Sequence, residues 1–393
     1  MLNEPTESGI LDMATDPVLR DVCRRAIDGQ RLYADDGLLL MRTPDLPTVG
    51  RLASLVRRRR NGRVTWYIVN HHINYSNVCE NRCRFCAFHR VPGAEGAYTM
   101  TVDEVVAEAR ALGVSGATEL HIVGGLHPDL PLEYYIEMLS RLHAMLPEVH
   151  LQAFTAVEIA HLADTAGRPV RDVLTVLRDA GLGSLPGGGA EVFAPRVRQA
   201  LCPRKIPAER WLDVMATAHD LGIPSNATML YGHIERPEEI IDHMLRLRQL
   251  QDRTGGFMTF IPLAFHPHHT ELAAAAAASS GHPLRRTSGT TAYDDLRALA
   301  VGRLMLDNVP HVKAFWIMLG LELAQLSQHF GVDGIDGTVV QERITHAAGA
   351  ATPQSLTVEE IRAMILDAGY EPQERNTVYR RVVRHGSMWQ LAT

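Results

Sequence analysis

Apolar and polar positions along the chain follow two periods that alternate from residue 64 to about residue 340. Compact apolar runs predict strands, and the stretches between them repeat apolar residues at helical spacing, as in Leu132, Tyr135, Leu139 and Leu142. The strand-like runs are Val64–Tyr75, Glu119–Gly125, His150–Ala156, Gly183–Pro186, Ser225–Tyr231, Phe257–Phe265, Val312–Met318 and a run around Gly331–Val340. Eight alternating units predict an α/β protein, a parallel (β/α)8 TIM-type barrel, with a doubly wound open sheet as the alternative.

The segments on either side of this region have a different pattern, which predicts three parts. Residues 1–62 predict an N-terminal helical extension, in which Asp16-Pro17 begins one helix and Gly62 ends another. Residues 63–345 form the predicted barrel, and the alanine- and serine-rich stretch 270–291 is read as an insertion in it. Residues 346–393 predict a C-terminal helical extension that contains the capping box Thr357–Glu360.

Composition and charge exclude several classes of protein. The net charge is −6 and the pI is about 6.3, which argues against a nucleic-acid-binding surface. No apolar run has the length of a membrane span, and the N-terminus lacks the basic-then-apolar pattern of a secretory signal. We therefore expect a cytoplasmic protein whose clustered cysteines bind metal rather than form disulfides.

Three of the five cysteines lie within eight residues, as Cys79, Cys83 and Cys86. Thiolates are soft ligands that suit zinc or iron–sulfur clusters. Three thiolates can hold three irons of a four-iron cluster and leave the fourth iron open to a substrate, as in catalytic metal sites with an open position. A structural zinc ion with His89 as fourth ligand is the alternative, and a protein of that kind would not be an enzyme.

The spacing C-x3-C-x2-C, with Phe85 before the third cysteine and the predicted barrel around it, resembles the signature of radical S-adenosylmethionine (SAM) enzymes. The resemblance implies a [4Fe-4S] cluster on Cys79, Cys83 and Cys86, and SAM bound at its open iron. It also implies that Phe85 backs the adenine and that Gly124 and Gly125 offer carbonyl groups to the SAM amine. Cleavage of SAM would then release a 5′-deoxyadenosyl radical.

Six further motifs narrow the resemblance to the aminofutalosine synthase family of menaquinone biosynthesis. They are residues 72–77, 124–132, 154–159, 185–191, 227–235 and 260–267. The family adds the adenosyl radical to 3-[(1-carboxyvinyl)oxy]benzoate and forms 6-amino-6-deoxyfutalosine, methionine and bicarbonate. The related cyclic dehypoxanthinyl futalosine synthases and the radical SAM enzymes of deazaflavin biosynthesis are the alternatives. Thr155–Glu158 and Pro262–Pro267 favour the synthase.

Several further side chains follow predicted strands and are candidate site residues. Glu158 and Glu191 are expected to bind the ribose or amine of SAM, or else to be helix N-terminal carboxylates. Because the implied substrate is an aryl enolpyruvyl ether with two carboxylates, cations are also needed, and His233, His266 and Lys313 are predicted as catalytic residues. The other candidate cations are His72, His127, Arg198 and Lys205. Asp336 is expected to close the site, and the cluster requires an electron donor such as flavodoxin or ferredoxin.

Overall fold

The strands form a closed parallel barrel, as the sequence predicts. The computed structural model describes residues 6–113, 116–278, 284 and 288–392. The strands are β1 (Val64–Tyr67), β2 (Asn70–Ile73), β3 (Glu119–Ile122), β4 (His150–Ala153), β5 (Leu182–Ser184), β6 (Ser225–Tyr231), β7 (Phe257–Ala264), β8 (His311–Ala314), β9 (Gly334–Ile335), β10 (Glu371–Glu374), β11 (Val382–His385) and β12 (Met388–Leu391). The sheet β2-β3-β4-β5 joins the sheet β1-β9-β8-β7-β6 through the parallel bridges Leu185–Ser225 and His71–Val340. These bridges close the ring.

Helices cover the outside of the barrel and precede and follow it. They are α1 (Glu7–Met13), α2 (Pro17–Ile27), α3 (Ala34–Arg42), α4 (Leu46–Asn61), α5 (Val102–Gly113), α6 (Leu132–Met145), α7 (Ala156–Ala166), α8 (Val170–Asp179), α9 (Pro195–Leu201), α10 (Ala208–Asp220), α11 (Pro237–Thr254), α12 (Glu271–Ala278), α13 (Ala292–Met305), α14 (Trp316–Leu319), α15 (Leu321–Ser327), α16 (Ile344–Ala347) and α17 (Val358–Asp367). Of the predicted insertion, α12 is a helix, and residues 279–283 and 285–287 lie outside the described residues.

The N-terminal region is helical, as its pattern predicts. Asp16 caps α2 by accepting a hydrogen bond from the Val18 amide, and Pro17 is the first helical residue. Gly62 ends α4 with a φ of 58°, a conformation that costs glycine little. The fully buried Arg57 donates to the carbonyl groups of Gly62 and Val332, which fastens α4 to the N-terminal end of the barrel. Arg57, the first of the four consecutive arginines 57–60 at the end of α4, therefore has a structural role.

The first strand-like run differs from the prediction, because it is divided into β1 and β2. Residues 68 and 69 separate them, and the two halves have different neighbours: β2 pairs with β3, and β1 pairs with β9 and β10. The N-terminal half of the first barrel strand thus has a further partner that comes from the C-terminus of the chain.

The predicted C-terminal helical extension is corrected by the structure. The capping box of Thr357 and Glu360 begins α17, as expected, but strands β10, β11 and β12 follow it. β10 pairs in parallel with β1, so that Val64 lies opposite Glu371, and β11 and β12 form an antiparallel hairpin. The sequence Glu371-Pro372-Gln373-Glu374 lacks the apolar alternation of a strand, and proline is tolerated only because β10 is an edge strand.

Candidate active site

A cavity of about 340 Å³ opens at the C-terminal ends of the barrel strands. This volume is in the range of small-molecule binding sites. Its wall includes the three clustered cysteines, Phe85, the glycines after β3, and side chains from inside the barrel. A barrel places the loops that follow its strands on one rim, which is where barrel enzymes hold their active sites. The loops that the sequence singles out therefore meet in one space.

The cysteine loop follows β2 and is held by backbone hydrogen bonds. The Cys79 amide donates to Arg90 at 3.0 Å, the Cys86 amide donates to Cys83 at 3.0 Å, and the Glu80 amide donates to Leu126 at 3.1 Å. Burial raises the pKa of the Cys79 thiol and raises that of Cys86 to about 11. The loop thus directs three buried sulfurs at the cavity wall.

The loop after β3 approaches the cysteine loop so closely that only glycine fits there. A Cβ atom on Gly125 would lie 2.1 Å from the carbonyl oxygen of Val78 and 2.9 Å from Cβ of Cys79, and one on Gly124 would lie 2.5 Å from the ring of Tyr75. The two glycines therefore bring a bare backbone next to the cysteines. This arrangement fits the cluster and the SAM amine that the sequence predicts at these positions.

Glu158 lies on the cavity wall, but its oxygens already have partners. It is the third residue of α7 and forms a capping box with Thr155. One oxygen accepts from the Tyr75 hydroxyl at 2.8 Å and from the Gly124 amide at 3.1 Å, and the other accepts from the Thr155 amide at 2.7 Å. Burial raises the pKa of this carboxyl. The structure thus gives Glu158 a positioning role for Gly124, and a direct contact with SAM stays a prediction.

Glu191 and Lys205 form a buried ion pair beside the cysteines. The Lys205 ammonium bonds to the Glu191 carboxylate, and it lies 5.1 Å from the centre of the Phe85 ring. Burial alone would lower the pKa of Lys205, but the thiols of Cys83 and Cys202 and the Glu191 carboxylate raise it. Glu191 has a φ of 49°, which is rare for a residue with a side chain and is typical of functional sites. The role of Glu191 in SAM binding stays a prediction.

Cys202 lies near the cysteine loop, a position that was not predicted from the sequence. Cys202 follows α9, is buried, and shares a hydrogen bond with the thiol of Cys83. A lone cysteine more than a hundred positions from the cluster motif has no signal of its own. The spacing of Cys202 and Lys205, on the loop that leaves α9, is the one feature that could have suggested a shared site.

Polar side chains line the interior of the barrel below the glycines. His72 on β2 stacks on His121 of β3, with ring centres 4.4 Å apart and planes 9° from parallel. Lys313 on β8 forms an ion pair with Asp336 at 2.9 Å. Burial alone would raise the pKa of Asp336, but the charge and the hydrogen bond of Lys313 lower it to about 2. His121 was missed by sequence reasoning, because a histidine within a strand gives no sign of the direction in which it points.

Of the three predicted catalytic residues, two line the cavity. Lys313 and His266 do so, and His266 Nε2 bonds to the carbonyl oxygen of Met318 at 2.9 Å. The prediction for His233 is corrected: its side chain is fully buried outside the cavity wall, bonded through Nε2 to Leu230 and paired through Nδ1 with Glu235. This histidine fixes the turn after β6 and does not line the cavity.

Two further features concern the alternative interpretations. Among the described residues, no group of three or more His, Cys, Asp or Glu side chains is arranged to hold a single metal ion. His89 Nδ1 bonds to the carbonyl oxygen of Cys86 at 2.8 Å. The zinc interpretation thus gains no support from the described chain. None of the helices in this part of the chain has both the length and the apolar character needed to span a bilayer.

Comparison with protein families agrees with this site. Residues 73–247 match the radical SAM superfamily, and residues 254–386 match the CofH/MqnC C-terminal region. The chain is 49% identical over 367 residues to an aminodeoxyfutalosine synthase of Thermus thermophilus, which covers 93% of this chain and 96% of the relative. It is 46% identical over 361 residues to the enzyme of the same name from Streptomyces coelicolor, covering 92% of this chain and 93% of the relative.

A second group of relatives has a different name. The chain is 42% identical over 335 residues, 85% of its length and 89% of the relative's, to a 5-amino-6-(D-ribitylamino)uracil–L-tyrosine 4-hydroxyphenyl transferase of Methanopyrus kandleri. Among solved structures, methylornithine synthase (PylB) aligns with a TM-score of 0.68 at 16% identity over 89% of this chain and 97% of that chain. The hydrogenase maturase HydG aligns with a TM-score of 0.69 at 15% identity over 95% and 80%. These structural matches support the barrel fold alone.

Proposed function

This chain belongs to the aminodeoxyfutalosine synthase family of radical SAM enzymes, and from that premise we propose that it joins the adenosyl group of SAM to the enol-ether carbon of 3-[(1-carboxyvinyl)oxy]benzoate. The products are 6-amino-6-deoxyfutalosine, methionine and bicarbonate, so that SAM is consumed as a substrate in menaquinone biosynthesis. The observation that supports this proposal best is the cavity that the three cysteines, the glycine pair and the polar side chains of the barrel interior line together.

When bound, the cluster and SAM supply an electron and a 5′-deoxyadenosyl group. The residues of the chain hold and orient these groups. Cys79, Cys83 and Cys86 would hold three irons, and Gly124 and Gly125 would present carbonyl groups to the SAM amine. The arrangement of Glu158 supports this assignment, because its carboxylate fixes the Gly124 amide. Phe85 would lie behind the adenine, where the cavity wall places its ring.

An external electron donor belongs to the same proposal. Arg82, Arg84 and Arg204 are exposed around the cysteine loop, and the Arg204 guanidinium bonds to the carbonyl oxygen of Glu80. A cationic surface next to a cluster suits an acidic carrier such as flavodoxin or ferredoxin, since complementary charge speeds encounter. A reducing cytoplasmic environment would suit both the carrier and the free cysteines.

The direct test is anaerobic reconstitution of the full chain, followed by incubation with SAM, reductant and the enolpyruvyl ether. We expect a product that retains adenine together with released bicarbonate, measured by mass spectrometry and isotope-labelled carboxylate. The matched control is Cys83→Ala, which should lose both the four-iron absorption spectrum and turnover. If 5′-deoxyadenosine is the main product of the wild type, addition of the adenosyl group is refuted.

The transferase group is the second candidate, because the identity of 42% to the Methanopyrus kandleri relative is close to the values above. The two candidates differ in what they consume. A parallel assay with L-tyrosine and 5-amino-6-(D-ribitylamino)uracil should yield no condensation product. Turnover of that pair, and none of the enolpyruvyl ether, would establish the second candidate instead.

A further inference from the structure

The barrel interior contains a polar layer to which the roles above assign no particular part of the substrate. His72 and His121 occupy matching positions on β2 and β3, and Gln152 continues the same row on β4. Lys313 on β8 and Asp336 after β9 lie close enough to this row to act on both imidazoles, and all but Gln152 line the cavity. We call His72, His121, Lys313 and Asp336 the barrel-floor cluster. Its members come from strands β2, β3 and β8 and from the turn after β9.

The barrel-floor cluster has unused hydrogen-bonding capacity. The His72 side chain is buried, and its Nε2 atom has no hydrogen-bond partner among the described residues. A buried nitrogen without a partner is unfavourable, so such a group indicates a missing ligand. Lys313 is an ammonium with three N–H donors, and it can therefore keep Asp336 as a partner and still donate to a second acceptor.

The depth of the barrel-floor cluster in the cavity indicates which end of a substrate reaches it. His121 precedes Gly124 by three residues, and three residues of extended chain span about 10 Å. SAM and the iron cluster are assigned to the rim beside Gly124 and Gly125. The carbon that is to be joined to the adenosyl group must therefore lie near the rim, and the opposite end of the substrate must point to the barrel floor.

We propose that the barrel-floor cluster is the binding site for the ring carboxylate of the aryl enolpyruvyl ether, an assignment that rests on the proposed function. His72 Nε2–H and the Lys313 ammonium donate to the two carboxylate oxygens. Asp336 holds the ammonium in place, and His121 supports the His72 ring from its other face. The barrel-floor cluster thereby selects an aromatic acid and sets the distance between the ring carboxylate and the rim.

The test measures equilibrium binding of ligands to the enzyme that carries its iron–sulfur cluster. SAM is present and the reductant is withheld, so that no turnover occurs. Two ligands are compared by calorimetry: 3-[(1-carboxyvinyl)oxy]benzoate, and 2-phenoxyacrylate, which lacks the ring carboxylate. We expect the wild type to prefer the first ligand by about 10- to 100-fold, the range for hydrogen bonds to a charged group. His72→Phe and the double variant Lys313→Met/Asp336→Asn should lose most of this preference and keep their affinity for 2-phenoxyacrylate.

The double variant avoids an unpaired buried aspartate, which would be strongly destabilising. The matched control is His219→Phe, since His219 is a partly buried histidine that bonds to Thr254 and Ser225 away from the cavity. It should keep the wild-type preference. Iron content and circular dichroism identify variants that fail to fold. Equal binding of both ligands by the wild type, or an unchanged preference in both floor variants, would refute this site even if product forms. Absence of product from the wild type refutes the proposed function separately.

Discussion

At the scale of single residues, the charges in and around the cavity are found in pairs. Lys205 bonds to Glu191, Lys313 to Asp336 and His346 to Glu342, and each pair is largely buried. A buried charge is costly when it has no partner, so these pairs allow a cavity in an otherwise apolar barrel to be polar. Each pair also provides a specific orientation, because the carboxylate fixes the direction of the cation.

The pair of His346 and Glu342 leads to a prediction about pH. The hydrogen bond that the His346 ring donates to the Glu342 carboxylate raises the pKa of His346 to about 9, against an ordinary value of 6.5. The folded state therefore favours the protonated imidazole, and this contribution to stability is present below pH 6.5 and is lost as the pH rises towards 9. The midpoint of thermal unfolding should fall over this range, and it should fall less steeply in His346→Gln. If the unfolding midpoints of the two proteins fall equally steeply with pH, the pair does not contribute to stability.

The residue scale also shows what the sequence can and cannot predict. Cys79, Cys83 and Cys86 could be grouped from spacing alone, because a short loop keeps its members together. His233 could not be excluded from the site, since the direction of a side chain in a turn depends on the hydrogen bond that its ring makes to Leu230. His121 and Cys202 were missed for a different reason, because the residues that they contact, His72 and Cys83, are distant in the chain.

At the scale of elements, the ends of strands decide the geometry of the site. Gly124 and Gly125 follow β3, and their missing side chains let this strand end approach the cysteine loop after β2. The resemblance predicted that the carbonyl groups of these glycines accept hydrogen bonds from the SAM amine. The close approach to Val78 and Tyr75 is a second requirement, which depends on tertiary packing and was not visible in the sequence.

Gly125→Ala tests this requirement. Its Cβ would lie 2.1 Å from the Val78 carbonyl oxygen, and relief of such overlap costs about 1–3 kcal/mol. We expect the cysteine loop to shift and the reconstituted protein to bind less iron per chain, measured by a colorimetric iron assay and the cluster absorbance. Gly334→Ala is the control, because its Cβ would meet Lys313 at an ordinary 3.7 Å. Full iron content in Gly125→Ala would contradict this account of the loop.

At the scale of the whole molecule, a strand from the C-terminal region, β10, pairs with the first barrel strand at the N-terminal end of the barrel. The amide of Glu371 donates to Arg63 and the amide of Arg375 donates to Tyr67, so that β10 covers the edge of β1. Tyr379 stacks on His311, with ring centres 3.7 Å apart. The barrel and its order of strands followed from the sequence pattern, whereas this closure did not, because its strand is short and polar.

Truncation tests the importance of the closure. A chain that ends after Tyr370 loses β10, and we expect a loss of stability larger than about 4 kcal/mol, since the edge of β1 and the contacts of the half-buried Trp66 with Tyr379 are lost together. A chain that ends after Gly386 keeps Arg384 and its ion pair with Glu374, and it should unfold near the wild-type temperature. Scanning calorimetry compares the two. Equal unfolding temperatures for the longer and the shorter chain would show that β10 is dispensable.

The pairing of Val64 with Glu371 also bears on how the protein is made. During translation, the first barrel strand leaves the ribosome long before its outer partner exists, and domains generally fold as units while synthesis proceeds. The edge of β1 must therefore wait for this partner until β10 has been synthesised. Pairings between such distant positions are slow to form and leave strand edges open to aggregation. We expect newly made chains to depend on a chaperone that shields this edge, and cluster insertion to follow release of the finished polypeptide.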